Sequence, residues 1–409
     1  MSILAKNVRR EIRGEDPQSC FITGDAVATL TALKESYEGK AALVYMDPPF
    51  GTGKSFTLRC PVGAEEWKNG KSSAAFTAYD DKMERSEYLD YMRSVLEGCK
   101  TLLKPGGLMF LHIDFRYDAY LRLLLDEVFG ENCFINEIVW AYESGGRAKN
   151  YFSRKHDIIL LYSNGPKYEL DTMEVARVIP GGRDNHMRRE IDEDGRTYRS
   201  IKSAGKIYRY YDDEPVPPSD VWTDISHIQQ RDPQRMGFDT QKPLELLERI
   251  LKCASKPGDL IIDPFAGSCT TLEAALKLGR RCIAIDKNSR CARYARRRSN
   301  GYACIFESPC TEASPLCEAS AEDVLAYCHV TLERFTLEDG AVDFEIKGLD
   351  SVDSWAAGYM EGDTFISLVV SERSPKSPEI KRELDVPFTQ KALMFRITDI
   401  LGRDFYFYP

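Results

Sequence analysis

The chain has 409 residues, of which 43% are hydrophobic and 29% charged, and its net charge is −9. This composition excludes a disordered or collagen-like chain, and the length suffices for two or three domains with a substantial core. No apolar run approaches the roughly 20 residues that cross a bilayer, and the charged N-terminal stretch is not a secretory signal, so we expect a cytoplasmic protein without membrane contact.

The negative charge is concentrated at the C-terminal end. Residues 305–409 contain 9 basic and 20 acidic residues, whereas residues 1–304 have a net charge of +2. Within that first part, residues 177–209 hold nine basic and five acidic residues, which makes a local basic patch. The 12 cysteines form no C-x-x-C pair and the 5 histidines are dispersed, so we expect reduced thiols and no metal site.

Short apolar runs alternate with helical patterns along the first three quarters of the chain. Strands are predicted at 42–46, 108–113, 137–142, 157–163, 259–265 and 281–286, and helices at 87–103, 117–129, 243–255 and 270–279. This alternation predicts a parallel α/β sheet with helices on both faces. The alternating stretches 327–337, 342–348 and 365–371 predict a separate, mostly β domain.

Residues 44–56, VYMDPPFGTGKSF, contain the ending of a phosphate-binding loop. The full G-x-x-x-x-G-K-[ST] pattern would place its first glycine at position 48, which is Pro48. Proline has no N–H to offer a phosphate and fixes φ where the loop needs a flexible turn. The sequence therefore disfavours a nucleotide hydrolase.

The other half of that stretch, Asp47-Pro48-Pro49-Phe50, directly follows a predicted buried strand. Ligands bind at the carboxyl ends of strands in open α/β sheets. The Asp47 carboxylate and the Pro48 carbonyl can accept hydrogen bonds from an exocyclic amine, and Phe50 can stack on its base. Two acceptors would also stabilise the positive charge that grows on an attacking amine. We therefore expect a catalytic site for an exocyclic amine.

A second motif, Asp263-Pro-Phe-Ala-Gly-Ser-Cys-Thr-Thr271, also lies between a strand and a helix. Such a turn is typical of a nucleotide-like cofactor site, because the helix N-terminus supplies N–H donors. Asp286 ends the next predicted strand, 23 residues after Asp263, near the offset of an acid that binds ribose hydroxyls. The complete G-x-G-x-x-G fingerprint is absent, which disfavours a dinucleotide.

Together, these motifs resemble the DNA amino-methyltransferases that use S-adenosylmethionine. D-P-P-[YF] is their catalytic motif and D-P-F-x-G-S-G-T-T their cofactor motif, and the catalytic motif comes first, as in the permuted β class. Further matching segments are 24–25, 104–107 and 240–243, and residues 144–157 look most like modification subunits of type III restriction systems. The resemblance covers roughly residues 18–300.

The resemblance implies an α/β fold: a permuted Rossmann-like, S-adenosylmethionine-dependent methyltransferase sheet with a target-recognition insertion and a small C-terminal, mostly β domain. We expect residues 1–164 to form the catalytic half, 165–235 the target-recognition region, 236–304 the cofactor-binding half and 305–409 an acidic β-rich domain.

The resemblance also assigns site residues. The catalytic residues would be Asp47, Pro48, Pro49 and Phe50. The residues expected to bind S-adenosylmethionine are Asp25, Asp47, Lys242, Asp263, Pro264, Phe265, Gly267, Ser268, Thr270 and Asp286. Among them, Asp286 would hold the ribose, Asp25 would lie near the adenine, and Lys242 would lie near the cofactor carboxylate.

The acid at the start of D-P-P-F favours adenine N6 over cytosine N4, since cytosine enzymes of the family more often carry Ser there. The target base must flip out of the duplex, and the basic, tyrosine-containing segment 177–209 is the predicted recognition element. The expected DNA-binding residues are Arg147, Lys149, Arg154, Lys155, Arg183, Arg188, Arg189, Arg199 and Lys202.

Two positions depart from the family pattern. Cys269 stands where the family has its second cofactor-loop glycine, and we expect it to weaken cofactor binding; Gly51 stands where relatives often have Asn.

The open alternatives are a cytosine-N4 enzyme, an RNA methyltransferase and a non-catalytic DNA-binding subunit of a restriction or defence complex. A homodimer and a restriction partner are further expectations. The aromatic residues Trp355, Tyr359 and 405–409 are either anchors for a partner or the core of the C-terminal domain.

Overall fold

A computed structural model describes residues 3–5, 8–49, 55–61, 73–80, 83–143, 148–179, 187–230, 232–307, 315–324, 327–336, 348–374 and 377–409. Three predicted site residues, Phe50, Arg147 and Arg183, lie outside these residues, as do Gly51 and nearly all of the predicted strand 342–348.

The described residues form β-strands and α-helices whose bounds confirm the predicted strand–helix alternation. The strands are β1 (Ile3–Ala5), β2 (Arg10–Arg13), β3 (Cys20–Thr23), β4 (Ala41–Met46), β5 (Ser55–Pro61), β6 (Ser73–Asp80), β7 (Leu103–Ile113), β8 (Phe134–Ala141), β9 (His156–Ser163), β10 (Arg189–Ile191), β11 (Thr197–Ser203), β12 (Lys206–Tyr211), β13 (Val221–Trp222), β14 (Leu260–Asp263), β15 (Arg281–Asp286), β16 (Cys304–Glu307), β17 (Leu316–Val324), β18 (Tyr327–Thr336), β19 (Val352–Glu361), β20 (Thr364–Glu372), β21 (Glu383–Pro387), β22 (Leu393–Asp399) and β23 (Asp404–Tyr408). The helices are α1 (Ala26–Tyr37), α2 (Arg85–Leu102), α3 (Asp118–Phe129), α4 (Leu244–Ala254), α5 (Thr270–Lys277) and α6 (Ala292–Arg298).

Within the described residues, the largest sheet has 15 strands in the order β1-β23-β22-β19-β20-β2-β16-β3-β15-β14-β4-β7-β9-β8-β13. Its centre is parallel: β3, β15, β14, β4 and β7 pair in parallel, and β9 then runs antiparallel to both β7 and β8. This arrangement confirms the predicted α/β class.

The sequence of β4 explains why helices cover both faces. All six of its residues, AALVYM, are buried. Leu43 and Tyr45 belong to one apolar cluster, which also contains residues of α4, α5 and α6. Val44 and Met46 belong to a second cluster, with residues of α1, α2 and α3. Since successive strand residues point to opposite faces, a continuous apolar run suits a strand buried on both sides.

The same pairing brings the two sequence motifs together. Val44 of β4 lies opposite Ile262 of β14 in a parallel ladder, so both strands end at one edge of the sheet. Asp47 follows β4, and Asp263 is the last residue of β14. The carboxyl edge of the central strands therefore carries both motifs.

A small antiparallel sheet, β10-β11-β12, lies within the predicted target-recognition region. Its hairpin turns at Ala204 and Gly205, which have φ of 50° and 79°. Positive φ at both central residues is typical of a two-residue hairpin turn that matches the strand twist. The insertion is therefore a folded element with a tight tip.

The described residues within 305–409 are mostly β, but several of their strands continue the large sheet. β2 pairs with β16 on one side and with β20 on the other, which links the methyltransferase strands to β19, β22 and β23. Trp355, Phe405 and Phe407 are buried in a core of this region, so these rings pack internally. In the part of the chain that the structure describes, no helix is both long and apolar enough to cross a membrane.

Candidate active site

A cavity of about 500 Å³ opens where β4, β14 and β15 end. This volume lies in the range of about 300–1,000 Å³ that is typical of small-molecule sites. Nine of the ten predicted cofactor residues line the cavity: Asp25, Asp47, Lys242, Asp263, Phe265, Gly267, Ser268, Thr270 and Asp286. Pro49 also lines it, whereas Pro48 is buried beside it and Pro264 is not part of the wall.

Asp47 is the first residue of the D-P-P-F turn and lines the cavity. Its Oδ2 accepts a hydrogen bond from Nζ of Lys242 at 2.5 Å, and both side chains are largely buried, with 15% and 10% of their surface exposed. Its Oδ1 is also buried and has no hydrogen-bond partner among the described residues. A buried acceptor without a donor is unfavourable, so this oxygen is suited to a donor that a ligand supplies.

The backbone of the turn is held from helix α2. The Tyr88 hydroxyl donates to the Pro49 carbonyl at 2.7 Å, and its ring packs on Tyr117 with centroids 4.6 Å apart. The Pro49 carbonyl is therefore occupied by the fold.

The loop after β14 is organised by two carboxylates. Oδ1 of Asp263 accepts from the Phe265 N–H at 3.0 Å, and Oδ2 of Asp286 accepts from the Gly267 N–H at 2.8 Å. Gly267 has φ of +49°, and a Cβ there would lie 3.1 Å from the ring of Phe238, which also lines the cavity. Glycine is therefore needed both for the turn and for space beside Phe238.

Three carboxylates, those of Asp47, Asp263 and Asp286, share this small space with Lys242. The pKa of Asp263 is raised to about 7, first by burial and also by the charges of Asp47 and Asp286, while hydrogen bonds from Thr271 and the Phe265 N–H oppose the shift. Burial also raises the pKa of Asp286. A ligand that carries positive charge would relieve this crowding of carboxylates.

Asp25 and the rings of Tyr91 and Phe265 also line the cavity. Oδ1 of Asp25 accepts from the Ala28 N–H at 3.2 Å and so caps α1, and its Oδ2 lies 3.5 Å from the Tyr91 hydroxyl. The rings of Tyr91 and Phe265 meet edge to face at 6.4 Å. Aromatic walls with a polar group at one end suit a flat heterocycle.

The side chain of Cys269 does not enter the cavity. This residue has φ of 58° and ψ of 32°, in the left-handed region, which explains why the family has glycine here. Its side chain is fully buried in the core, with Sγ 3.8 Å from the Cys291 carbonyl oxygen. The expected crowding of the cofactor by this side chain is therefore not what the geometry shows.

Several cavity residues were not predicted from the sequence: Tyr45, Tyr91, Phe238, Asn288 and Arg290. Tyr45 and Asn288 have a local signal, since they lie within two residues of Asp47 and Asp286. Tyr91 and Phe238 have none, because their place depends on how helix α2 and the segment before α4 pack.

Behind Tyr45 lies a buried polar chain that the sequence also does not reveal. The Tyr45 hydroxyl lies 3.0 Å from Nδ1 of His112, and Nε2 of His112 lies 3.1 Å from Oδ2 of Asp157. Tyr142 donates to the other oxygen of Asp157 at 3.1 Å. Hydrogen bonds and the charge of His112 keep the pKa of Asp157 low against the effect of its burial, so this chain supports the strand ends beneath Asp47.

The loop before β9 lies at the same edge as the cavity, because the start of β9 pairs with the end of β7. Arg154 is exposed and lies over the ring of Phe115 at 4.1 Å, Lys149 is exposed, and Lys155 is partly buried. These predicted DNA contacts therefore lie at the same edge of the sheet as the cavity.

The predicted DNA contacts of the small sheet fall into two groups. Arg189 and Arg199 both pair with Asp212, at 2.9 and 3.9 Å, and so hold the base of the hairpin together. Arg188 and Lys202 are exposed. Lys206, which was not predicted individually, is also exposed beside the turn, as are Ile201, Ile207 and Tyr208.

Comparison with known proteins gives a consistent result. The profile of a DNA methylase family matches residues 41–297, more than half of the chain. The type II methyltransferase M.EcaI of Enterobacter cloacae is 28% identical over 315 residues, which cover 66% of each protein. The DNA adenine methyltransferase YhdJ of Escherichia coli K12 is 28% identical over 281 residues, 68% of this chain and 81% of YhdJ.

The Mod subunit of the type III restriction-modification enzyme EcoPI, from Escherichia phage P1, is 23% identical over 404 residues, 74% of this chain and 62% of the subunit. The chain thus spans about two thirds of M.EcaI and of this Mod subunit. The stretch matched by the family profile contains both the D-P-P-F turn and the D-P-F-A-G-S loop, which meet at the cavity. The chain belongs to the N6/N4 DNA methylase family.

Proposed function

We propose that this protein transfers a methyl group from S-adenosylmethionine to the N6 amine of a flipped adenine in DNA. One observation carries the proposal: Asp47 has one carboxylate oxygen on Lys242 and the other buried without a partner among the described residues, at the wall of the cavity that the D-P-F-A-G-S loop completes.

The donor set of the cavity fits the cofactor. Its carboxylates suit a ligand with an ammonium group and a sulfonium, the N–H groups at the start of α5 suit a carboxylate, and the ring of Tyr91 beside Asp25 suits an adenine ring. We assign Asp263, Phe265, Gly267 and Thr270 to the methionine end and Asp286 to the ribose.

The chemistry then rests on Asp47. When bound, S-adenosylmethionine supplies an electrophilic methyl group on its sulfonium. Oδ1 of Asp47 and the Pro48 carbonyl accept the two N–H groups of the target amine, which favours its pyramidal form and frees its lone pair. As the nitrogen gains positive charge, the Asp47 carboxylate stabilises it, and Oδ1 is placed to hold the proton that the methylated amine releases. Lys242 fixes the orientation of the carboxylate through Oδ2.

The choice of adenine rests on the acid at the first position of D-P-P-F and on the similarity to YhdJ. Cytosine N4 is the second candidate, because an exocyclic amine of cytosine would find the same two acceptors.

We also propose that the basic hairpin β11–β12 contacts the duplex. Its strands and turn, residues 197–211, contain Arg199, Lys202, Lys206 and Arg209 and no acidic residue.

The test is nucleoside mass spectrometry. Unmethylated DNA of mixed sequence is incubated with the purified protein and S-adenosylmethionine, with an RNA sample in parallel. N6-methyladenine in the DNA supports the proposal. N4-methylcytosine would keep the mechanism and overturn the base. A protein that does not bind S-adenosylmethionine would favour the role of a non-catalytic DNA-binding subunit, and methylation of the RNA but not of the DNA would favour an RNA methyltransferase.

A further inference from the structure

The wall of the cavity that follows β15 is supported by the C-terminal strands. Asp286, Asn288, Arg290 and Cys291 line this wall. Directly behind it lies the turn between β22 and β23, residues 399–403, which we call the supporting turn. This turn lies outside residues 41–297, the stretch that the family profile matches.

The supporting turn contacts the wall through its backbone. Nε of Arg290 donates to the Leu401 carbonyl at 2.9 Å, and Nη1 of Arg293 donates to the Ile400 carbonyl at 3.2 Å. A Cβ on Gly402 would lie 2.9 Å from Cα of Arg290, so the two backbones are in direct contact. Only glycine allows this approach without a shift of the wall.

The turn is itself well fixed. The Gly402 N–H donates to the Asp399 carbonyl at 2.9 Å, and the Asp399 carboxylate accepts from the backbone N–H and from Nε of Arg403 at 2.9 and 2.7 Å. The Ile400 N–H donates to the Ser351 carbonyl at 2.9 Å. Because these bonds make the turn rigid, it can hold Arg290 at a fixed position relative to the C-terminal strands.

Helix α6, which begins just after the wall, is bound to the same strands by buried ion pairs. Arg293 and Arg297 both reach Oδ1 of Asp353, at 2.8 and 2.5 Å, and Arg296 reaches Asp404 at 2.7 Å. Arg293, Arg296 and both acids are at most 3% exposed. The wall is thus held at its start by β15 and at its end by the C-terminal sheet.

We propose that the supporting turn positions the Asp286–Arg290 wall and thereby sets the affinity for S-adenosylmethionine. This proposal rests on the proposed function, because it concerns the same cavity. It gives the acidic C-terminal strands a role in cofactor binding, whereas contact with DNA belongs to the basic hairpin and the loop before β9.

The test compares two alanine substitutions in the full chain. Gly402→Ala adds a methyl group against Arg290. Gly362→Ala, in the turn between β19 and β20, is the matched control, since its φ of +62° resembles the +77° of Gly402 but an added Cβ meets nothing within 4 Å. Cofactor affinity is measured by calorimetry, and KM is measured separately for S-adenosylmethionine and for DNA.

We expect Gly402→Ala to raise Kd and KM for S-adenosylmethionine by about fivefold or more, within the range of coupling through packed contacts, while KM for DNA stays unchanged. Gly362→Ala should match the wild type in both constants. Equal cofactor affinities of the two variants would overturn the proposal, as would an equal loss of affinity for cofactor and DNA.

A second measurement on the wild-type protein applies even if Gly402→Ala fails to fold. Hydrogen exchange at the amides of residues 399–403 should slow when S-adenosylmethionine is added, and unchanged exchange would overturn the proposal. A wild-type protein that does not bind the cofactor would instead overturn the proposed function, and this proposal with it.

Discussion

Asp263 is the residue whose protonation state decides how the cavity receives a cation. Its pKa of about 7 means that near neutral pH the ligand-free protein holds a mixture of the neutral and ionised carboxyl. A positively charged ligand favours the ionised form and therefore lowers this pKa on binding. Binding should thus release a proton near pH 7.

We predict that S-adenosylmethionine binds more tightly as the pH rises through 7. Because the carboxyl is mostly protonated at pH 6 and mostly ionised at pH 8, Kd should fall roughly tenfold between these values. Calorimetry in buffers of different ionisation enthalpy measures both Kd and the released proton. Asp263→Asn should bind weakly with little pH dependence; a steep dependence that survives in this variant would assign the titration to another group.

Cys269 illustrates a substitution that only the folded geometry can interpret. Its left-handed backbone conformation is strained for any residue with a Cβ, but its sulfur packs in the core and not in the cavity. We predict that Cys269→Gly leaves Kd for S-adenosylmethionine within about threefold of the wild type. Relief of backbone strain and loss of buried packing both change the stability of the fold, not the contacts with the cofactor. Tenfold tighter binding would show that the sulfur does crowd the cofactor.

In the hairpin β11–β12, the basic residues at the base are paired with acids, whereas, among the described residues, those at the tip are not. Arg189 and Arg196 at the base pair with Asp212 and Asp213, at 2.9 and 2.7 Å. Lys202 and Lys206 at the tip are exposed, and within the described residues no ion pair involves them. The tip is therefore the part of the hairpin that can neutralise phosphates.

We predict that the double variant Lys202→Ala/Lys206→Ala binds DNA more weakly and with a shallower salt dependence. Each lost phosphate contact reduces the slope of log K against log salt by about 0.9 on a duplex, so the slope should fall by about 2. Titrations at several salt concentrations measure it, with Lys34→Ala, an exposed lysine on α1, as the control. A slope equal to that of the wild type would place the DNA elsewhere.

The elements show where the sequence is informative and where it is not. β4 and β14 could be predicted because their apolar runs end in D-P-P-F and D-P-F-A-G-S, and parallel pairing then brings Asp47 and Asp263 to one edge. The strands β11 and β12 were not predicted, since their apolar side chains Ile201, Ile207 and Tyr208 are exposed and leave no pattern of burial. Arg290 could not be assigned, because its position depends on a turn more than 100 residues later in the chain, at Leu401.

Buried charges join strands from the two ends of the chain, β2 and β23, to α6. Arg296 pairs with Glu11 of β2 at 2.8 Å and with Asp404 of β23 at 2.7 Å, and Arg396 lies 3.3 Å from the same Glu11 oxygen. These charges keep the pKa of Glu11 well below its usual range although burial acts to raise it. The predicted break between the methyltransferase and the C-terminal region is crossed by this network, so the two should unfold together.

We predict that Arg296→Met destabilises the protein by about 3–5 kcal/mol, because removal of one partner leaves buried carboxylates short of positive charge. Urea denaturation should show one transition at a lower midpoint. The matched control is Arg93→Met, which breaks an exposed pair with Glu127 and should cost about 0–1 kcal/mol. Two separate transitions in the wild type would show instead that the C-terminal region unfolds by itself.

The Asp47→Asn variant tests whether Oδ1 of Asp47 accepts a hydrogen bond from the target amine and stabilises its charge. The amide preserves the shape of the side chain but removes the charge that stabilises the developing cation. We therefore predict that kcat for methyl transfer falls by about 10²–10³-fold. Kd for S-adenosylmethionine should stay within a few-fold of the wild type. Asp118→Asn, a partly buried acid at the start of α3, is the control. Transfer at the wild-type rate by Asp47→Asn would show that the Asp47 carboxylate does not act on the target amine.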